Sequence, residues 1–325
     1  MAKQKVFVTR QIPEASMTEL KQQFDVTVNP DDRVLSREEL LAGVKGMDAV
    51  LCLLTDTIDA EVFDAAGPQC RIFANYAVGY NNVDVAAATE RGIIVTNTPD
   101  VLNDATADLA WTLLFAVSRR IAEADRYARA GKYKGWGPLL LLGRDITGKK
   151  LGIIGAGRIG CNLARKAKGF DMELLYTDTK QNARMEELGA RYMDKEALLR
   201  EADFISVHVP LTPQTKHYIG EKEFGLMKKE AVFVNTSRGP VVDEKALVRA
   251  LSEGWIWGAG LDVFENEPDI EPGLLGLDNV IIVPHIASAT IETRTNMGLI
   301  AAGNILKVLN GQMPDTCINP EVLKK

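Results

Sequence analysis

The sequence predicts an α/β protein of two domains, each a doubly wound parallel sheet. Short, continuously apolar runs alternate with helical stretches from the start of the chain. The alternation breaks near residue 100 at a long apolar helix and a glycine-rich excursion, and then resumes. At 325 residues the chain exceeds one ordinary core and suits two domains of roughly 100 to 200 residues each. Strands that are apolar throughout, rather than at every second residue, belong to sheets covered by helices on both faces.

The first run reads KVFVT then PEASMTELKQQF, DVTVN then SREELLAGVKG, DAVLCLL then DAEVFDAAG, RIFANYA then VDVAAATERG, and IIVTN. Five strands with helices between them make a complete domain by about residue 99. Asn97-Thr98-Pro99 ends it, and LNDATADLAWTLLFAVSRRIAEADRYARAGK is expected to form one long helix. That helix is apolar nearly all round between Ala105 and Val117, which requires burial inside a domain or at a subunit interface. KYKGWGPLLLLGRDITGKK, rich in glycine and without periodicity, is an excursion.

The second run contains KKLGIIG, a helix from Arg158, ELLYTD, helices near Ala183 and Lys195, FISVHV, AVFVN, a helix from Asp243 to Glu253, WGAGLDV and VIIVP. At least six strands are expected by residue 283. The closing helical stretch, IETRTNMGLIAAGNILKVLNG, is expected to return to the first domain. The domains are accordingly 1–99 with 288–325, and an inserted 100–287.

The net charge of −6 argues against a nucleic-acid partner, because neutralising phosphates requires many Lys and Arg contacts. An anionic ligand therefore needs a local positive site. The opening MAKQKVFVTR lacks a leader's apolar core, and no later run approaches the roughly 18 residues that span a membrane. A cytoplasmic protein with no membrane partner is expected. Cys52, Cys70, Cys161 and Cys317 are scattered with no C-x-x-C pair and no zinc spacing, so they read as reduced thiols and no metal is expected. Asn235-Thr236-Ser237 matches a glycosylation triplet, which without a secretory leader is accidental.

One turn carries a ligand signal. In LGIIGAGRIG a strand leads into Gly155-Ala156-Gly157-Arg158-Ile159-Gly160, and CNLARKAKGF continues as a helix. Gly155 suits the tight turn, Gly157 the close approach of a pyrophosphate, and Gly160 the packing of helix on strand. The helix N-terminus offers amides and a positive dipole to phosphates. Asp178, 23 residues after Gly155, is placed to accept from ribose hydroxyls and to repel a 2′-phosphate. Unit charges about 5 Å apart at an effective dielectric near 20 repel by roughly 3 kcal/mol per pair. NAD(H) is thus expected over NADP(H), a preference tempered by nearby Lys180 and Arg184.

Three histidines are present. His208 follows the strand FISV and is expected to line the cofactor cleft. His217 lies in the polar LTPQTKHY and reads as surface. His285, directly after NVIIVP, stands where α/β sheets present side chains to ligands, or is a satisfied core histidine. Arg238, after AVFVN, can hold a carboxylate bidentately, or form a surface pair with Asp243 or Glu244. The acidic loop with Asp262, Glu265, Glu267, Asp269 and Glu271 reads as mostly solvated, with one or two acids facing a cleft. It lacks the spacing and glycine of a calcium loop.

Together G-x-G-R-I-G with Asp178, NTSRGPVVDE with Arg238, LDVFENEP with Glu267 and VPHIASAT with His285 resemble the D-isomer-specific 2-hydroxyacid dehydrogenases. The likeness spans essentially the whole chain, and NYAVGYNNVDV with VLNDATADLAWTLLFAVSRR is most similar to that family's glyoxylate/hydroxypyruvate reductase branch. The resemblance implies a flavodoxin-like substrate domain, a Rossmann NAD-binding domain, an active-site cleft between them, and a homodimer. It implies that His285 donates a proton to the substrate carbonyl, that Arg238 holds carboxylate and carbonyl oxygens, and that Glu267 stabilises protonated His285 and raises its pKa.

By the same likeness Val78 and Gly79 offer backbone donors to the substrate, Leu54 limits its size, and Ser288 with Trp136 of a neighbouring subunit completes the wall. Thr106, Gly155, Gly157, Arg158, Ile159, Gly160, Asp178, His208, Pro210, Thr215, Thr236, Ser237, Asp262, His285 and Ala287 match cofactor-side positions. Where relatives often read NTPGVL, this chain has Asp100 close to the expected hinge. Phosphoglycerate and 2-ketogluconate dehydrogenases of the same family are alternatives, as is a non-catalytic NAD-sensing corepressor. A formate dehydrogenase would be expected to carry Gln in place of Glu267.

Overall fold

The computed structural model describes residues 3–324, which divide into two compact units, Met1–Leu102 with Ala289–Lys325, and Asn103–Ser288. Asp100 to Leu102 stay with the first unit because Val101 and Leu102 pack on its core. Ser288 stays with the second, where Asp262 Oδ2 accepts the preceding Ala287 amide. The expected boundaries at 99/100 and 287/288 therefore move by three residues and one.

The first unit holds five parallel strands, β1 (Lys5–Val8), β2 (Asp25–Val28), β3 (Ala49–Leu53), β4 (Ile72–Tyr76) and β5 (Ile94–Thr96), in the order β2-β1-β3-β4-β5. This is the flavodoxin-like order. Alternate side chains serve opposite faces. Val6 and Val8 of β1 join the core formed with the Ile291–Leu309 helix, whereas Phe7 joins Val62 and Phe63 on the other side. Helix starts follow the sequence: Ser36 and Glu39 form a reciprocal capping box, and Asp59 and Asp84 accept from Val62 N and Ala87 N. The tail lies along β5, with Ile318 N donating to Val95 O at 2.8 Å and Asn319 Oδ1 accepting from Val95 N at 2.9 Å. An otherwise open sheet edge is thereby covered.

The second unit holds seven parallel strands, β6 (Lys150–Ile154), β7 (Glu173–Thr177), β8 (Arg191–Tyr192), β9 (Phe204–Val207), β10 (Val232–Asn235), β11 (Gly258–Leu261) and β12 (Val280–Ile282). Their order is β12-β11-β10-β9-β6-β7-β8, the Rossmann arrangement, which reverses direction between β6 and β9. The strand β8 went unread in the sequence because it is two exposed edge residues, Arg and Tyr, with no apolar run.

The expected single long helix is two, Asn103–Ser118 and Ile121–Arg129. Arg120 takes the left-handed conformation, φ 53°, which cannot propagate a right-handed helix. The Ser118 carbonyl is instead taken by Arg144 N at 2.8 Å. The first of these helices is buried within the unit, with Trp111, Leu113, Leu114 and Val117 all at or below 5% exposure. At about 1.5–3 kcal/mol each, those four side chains alone hold it firmly to the sheet. All four cysteines are free, and Cys52 and Cys70 are buried. Among the described residues no helix is long and apolar enough to cross a membrane.

Candidate active site

In the second unit most of the candidate residues follow the carboxyl end of a strand. Gly155 follows β6, Asp178 β7, His208 β9, Arg238 β10, Asp262 and Glu267 β11, and His285 β12. Because all seven strands are parallel, these groups gather on one edge of the sheet, where open α/β sheets bind ligands.

The glycine turn fits a dinucleotide. Gly155 holds φ 96°, and a Cβ there would meet His208 C at 2.8 Å. A Cβ on Gly160 would stand 2.2 Å from the Gly155 carbonyl oxygen, so only glycine lets this helix start so close to the turn. At Gly157 a Cβ would meet nothing within 4 Å, so the fold itself leaves that side of the turn open to a ligand. Arg158 and Ile159 form the first turn of the Arg158–Ala167 helix, and Ile159 packs on the core. Asp178 accepts from Ala156 N at 2.7 Å and from Thr179 N at 2.6 Å, which fixes its carboxylate beside the turn. Thr236, 6% exposed at the end of β10, has a buried hydroxyl with no hydrogen-bond partner. A buried orphan of this kind calls for a polar ligand atom.

His208 lies at the reversal point, its amide donating to Ile154 O at 2.7 Å and its Nε2 lying 2.9 Å from Ser206 Oγ. Burial lowers the imidazole to about 4, so it is neutral near pH 7. Thr106 is buried in the first turn of the Asn103–Ser118 helix. Thr215 closes its own turn, its hydroxyl donating to Pro210 O at 2.6 Å. Ser237 N and Oγ both donate to Asn235 Oδ1, at 3.0 and 2.8 Å, while Asn235 Nδ2 donates to Arg238 O at 3.0 Å.

Asn235, 1% exposed, thus clamps the turn that presents Arg238. Sequence reasoning passed over it, although an Asn between a strand and a tight turn is a recognised turn former.

His285 Nδ1 lies 2.9 Å from Glu267 Oε2. Glu267 Oε1 accepts from Phe264 N at 3.0 Å, which orients the carboxylate. Burial opposes ionisation of Glu267, but the hydrogen bond and charge of His285, the Phe264 amide and the charge of Arg238 outweigh it and lower its pKa. Burial lowers the Arg238 guanidinium, and the charge of Glu267 opposes that shift. His285 holds φ 52°, and its amide donates to Asp262 O. Asp262 is fully buried and accepts from Ile286 N at 2.6 Å and Ala287 N at 3.0 Å. Burial, against those amides, pushes its carboxyl up to about 6.

Only Asp262 of the acidic loop is buried, and the other acids are partly or fully exposed as expected, but most of them have defined partners. Asp262 ties down the chain after His285, Glu267 pairs with that histidine, Glu265 pairs with His217, and Glu271 accepts from Gly273 N. The carboxylates suggested as partners of Arg238 serve other groups: Asp243 caps Ala246 N and Glu244 accepts from Glu265 N at 2.7 Å.

Within the first unit, Leu54 is 37% exposed beside β3. The carbonyls of Val78 and Gly79 accept from Asn97 Nδ2 and Asn75 Nδ2, and neither amide donates to any described residue. Two such consecutive donors suit an anion. Ser288 closes the second unit. Trp136 stands apart, 84% exposed on the excursion, with Tyr133, Leu139 and Leu142 also exposed.

The family model described as "D-isomer specific 2-hydroxyacid dehydrogenase, NAD binding domain" matches residues 111–287. The glyoxylate reductase of Thermococcus gammatolerans is 53% identical over 99% of this chain and 98% of its own. A crystal structure of a glyoxylate reductase from Paecilomyes thermophila is 34% identical, with a TM-score of 0.87 over 99% of this chain and 100% of that one. The NADPH-dependent glyoxylate/hydroxypyruvate reductase of Sinorhizobium meliloti, in complex with NADP and malonate, is 31% identical, with a TM-score of 0.85 over 98% and 97%.

Proposed function

Because the chain belongs to the D-isomer-specific 2-hydroxyacid dehydrogenase family, we propose that it reduces a small 2-oxo acid, glyoxylate or hydroxypyruvate, to the D-2-hydroxy acid with NADH. The observation that carries this reading is the His285–Glu267 pair at 2.9 Å, within the electrostatic reach of Arg238, on the same sheet edge as the glycine turn.

When bound, the nicotinamide supplies the hydride to the carbonyl carbon. Arg238 holds the substrate carboxylate and polarises the carbonyl oxygen, answering the need for a local cation on an acidic protein. His285 Nε2 donates the proton to that oxygen, since Nδ1 is committed to Glu267. Glu267 fixes the orientation of the ring. In the first unit the amides of Val78 and Gly79 are candidate donors to an anion and Leu54 a candidate limit on its size, and in the second Ser288 is a further candidate substrate contact. The amides after Gly155, the hydroxyl of Thr236 and the carboxylate of Asp178 would hold the dinucleotide, with Thr106, Arg158, Ile159, His208, Pro210, Thr215, Ser237, Asp262 and Ala287 around it. Asp178 sets the preference for NADH, whereas the Sinorhizobium relative uses NADPH.

A homodimer is part of the same reading. Tyr133, Trp136, Leu139 and Leu142 are all exposed within one short stretch of chain, large apolar side chains of the kind that subunit contacts cover, and Trp136 would reach the neighbouring site.

Initial rates with NADH and NADPH against glyoxylate, hydroxypyruvate, pyruvate and 2-ketogluconate test the proposal. Turnover is expected with the first two. NADH binding without turnover of any 2-oxo acid would overturn it in favour of a non-catalytic sensor.

A further inference from the structure

His217 is a surface residue, as the sequence reads it, with its side chain 42% exposed, and it is also tied to the turn that carries Arg238. Its Nε2 lies 2.6 Å from Glu265 Oε1, and its amide donates to Pro240 O at 2.8 Å. It holds φ 49° to do both, a conformation that costs a non-glycine residue and persists only where the surroundings impose it. The strip continues with Ile219 N donating to Val241 O at 3.1 Å and Asp243 N to Ile219 O at 3.0 Å. Glu265 reaches onward, its amide donating to Glu244 Oε1 at 2.7 Å, and Glu244 is 4% exposed.

The second observation is how tightly two loops meet. A Cβ placed on Gly239 would lie 1.8 Å from Phe264 O and 2.5 Å from Glu265 N. The backbone next to Arg238 therefore abuts the backbone that donates Phe264 N to Glu267. Substrate anchor and acid pair hang from two loops pressed together, and His217 binds both, one through its main chain and one through its side chain.

We propose that His217, acting through Glu265, is a positioning residue that fixes the Arg238 turn against the Glu267 loop. This rests on Arg238 being the substrate's anchor. Without the His217 side chain the strip at Pro240 survives, but its side-chain tie to Glu265 is lost and the Arg238 turn is held less firmly against the Glu267 loop. Misplacement of a binding group by about 1 Å can cost up to about a hundredfold in rate. The pair is half-exposed, so its loss should leave global stability nearly unchanged.

The test compares His217→Ala, His217→Gln and Glu265→Gln with the unmodified enzyme, using glyoxylate and NADH. His217→Ala should raise KM for glyoxylate about tenfold, with KM for NADH and Tm unchanged. His217→Gln, whose amide can still donate to Glu265, should return KM to within about twofold, and Glu265→Gln, which keeps an acceptor, should do likewise. An unaltered KM for glyoxylate in His217→Ala, an equal rise in KM for NADH, or no recovery in His217→Gln would overturn the proposal. Arg238→Ala runs in parallel: if it leaves KM for glyoxylate unaltered, the anchor assignment itself has failed, whatever His217 does.

Discussion

His285 Nδ1 sits 2.9 Å from Glu267 Oε2, and the other Glu267 oxygen accepts from the Phe264 amide 3.0 Å away. The carboxylate is thus held from both sides, and the ring nitrogen left to a substrate is Nε2. Removing the charge while keeping the shape isolates its electrostatic part. Glu267→Gln is expected to lower kcat by about 10²-fold. Steady-state rates with glyoxylate check this, and an unaltered kcat would remove Glu267 from the proton transfer.

Asp178 is pinned beside the glycine turn by the amides of Ala156 and Thr179. A 2′-phosphate there meets a fixed carboxylate, with roughly 3 kcal/mol of repulsion per charge pair. Asp178→Ala should narrow the ratio of kcat/KM for NADH over NADPH by at least about tenfold. Comparable rates with both cofactors in the unmodified enzyme would defeat the argument.

His208 gives a stability signature. Burial lowers its folded-state pKa to about 4, while an unfolded histidine titrates near 6.5. Between those values the unfolded chain binds the extra proton, so stability is complete above about pH 6.5 and falls as pH drops toward 4. The loss is at most about 3 kcal/mol. His208→Gln should flatten that slope in denaturant unfolding between pH 4.5 and 7.5; an identical slope in both proteins would contradict the assignment.

Asp100 holds φ 70°, a backbone region that glycine enters at no steric cost. Aspartate tolerates the left-handed region better than most residues, and β-branched side chains tolerate it worst. Asp100→Val should destabilise by about 1–2 kcal/mol, and Asp100→Gly should lie much closer to the unmodified protein. Thermal unfolding of the two variants decides the matter, since equal Tm values would mean that backbone strain is not what governs the position.

What was legible in the sequence was local. Among the described residues, runs rich in apolar or β-branched residues marked eleven of the twelve strands, most of them buried on both faces and therefore apolar nearly throughout. Gly155 and Gly160 marked the turn because sterics within six consecutive residues require them, and Gly157 because the turn is left open there. Arg120 shows the limit: no periodicity reveals that the Ser118 carbonyl will be taken by Arg144, so one expected helix became two.

By itself, then, the sequence determined two parallel α/β sheets, the glycine turn and the candidate residues at the strand ends. Only the tertiary structure decided which acids of the loop after β11 are structural and which pairs with a histidine, because those partners come from distant parts of the chain. Glu265 meets His217 across 48 residues and Asp262 binds amides 24 and 25 residues on. Gly239 looks dispensable in NTSRGPVVDE until Phe264 is found against it. Pairing over such separations depends on where folding returns the backbone, and a linear pattern of residue types does not contain that geometry.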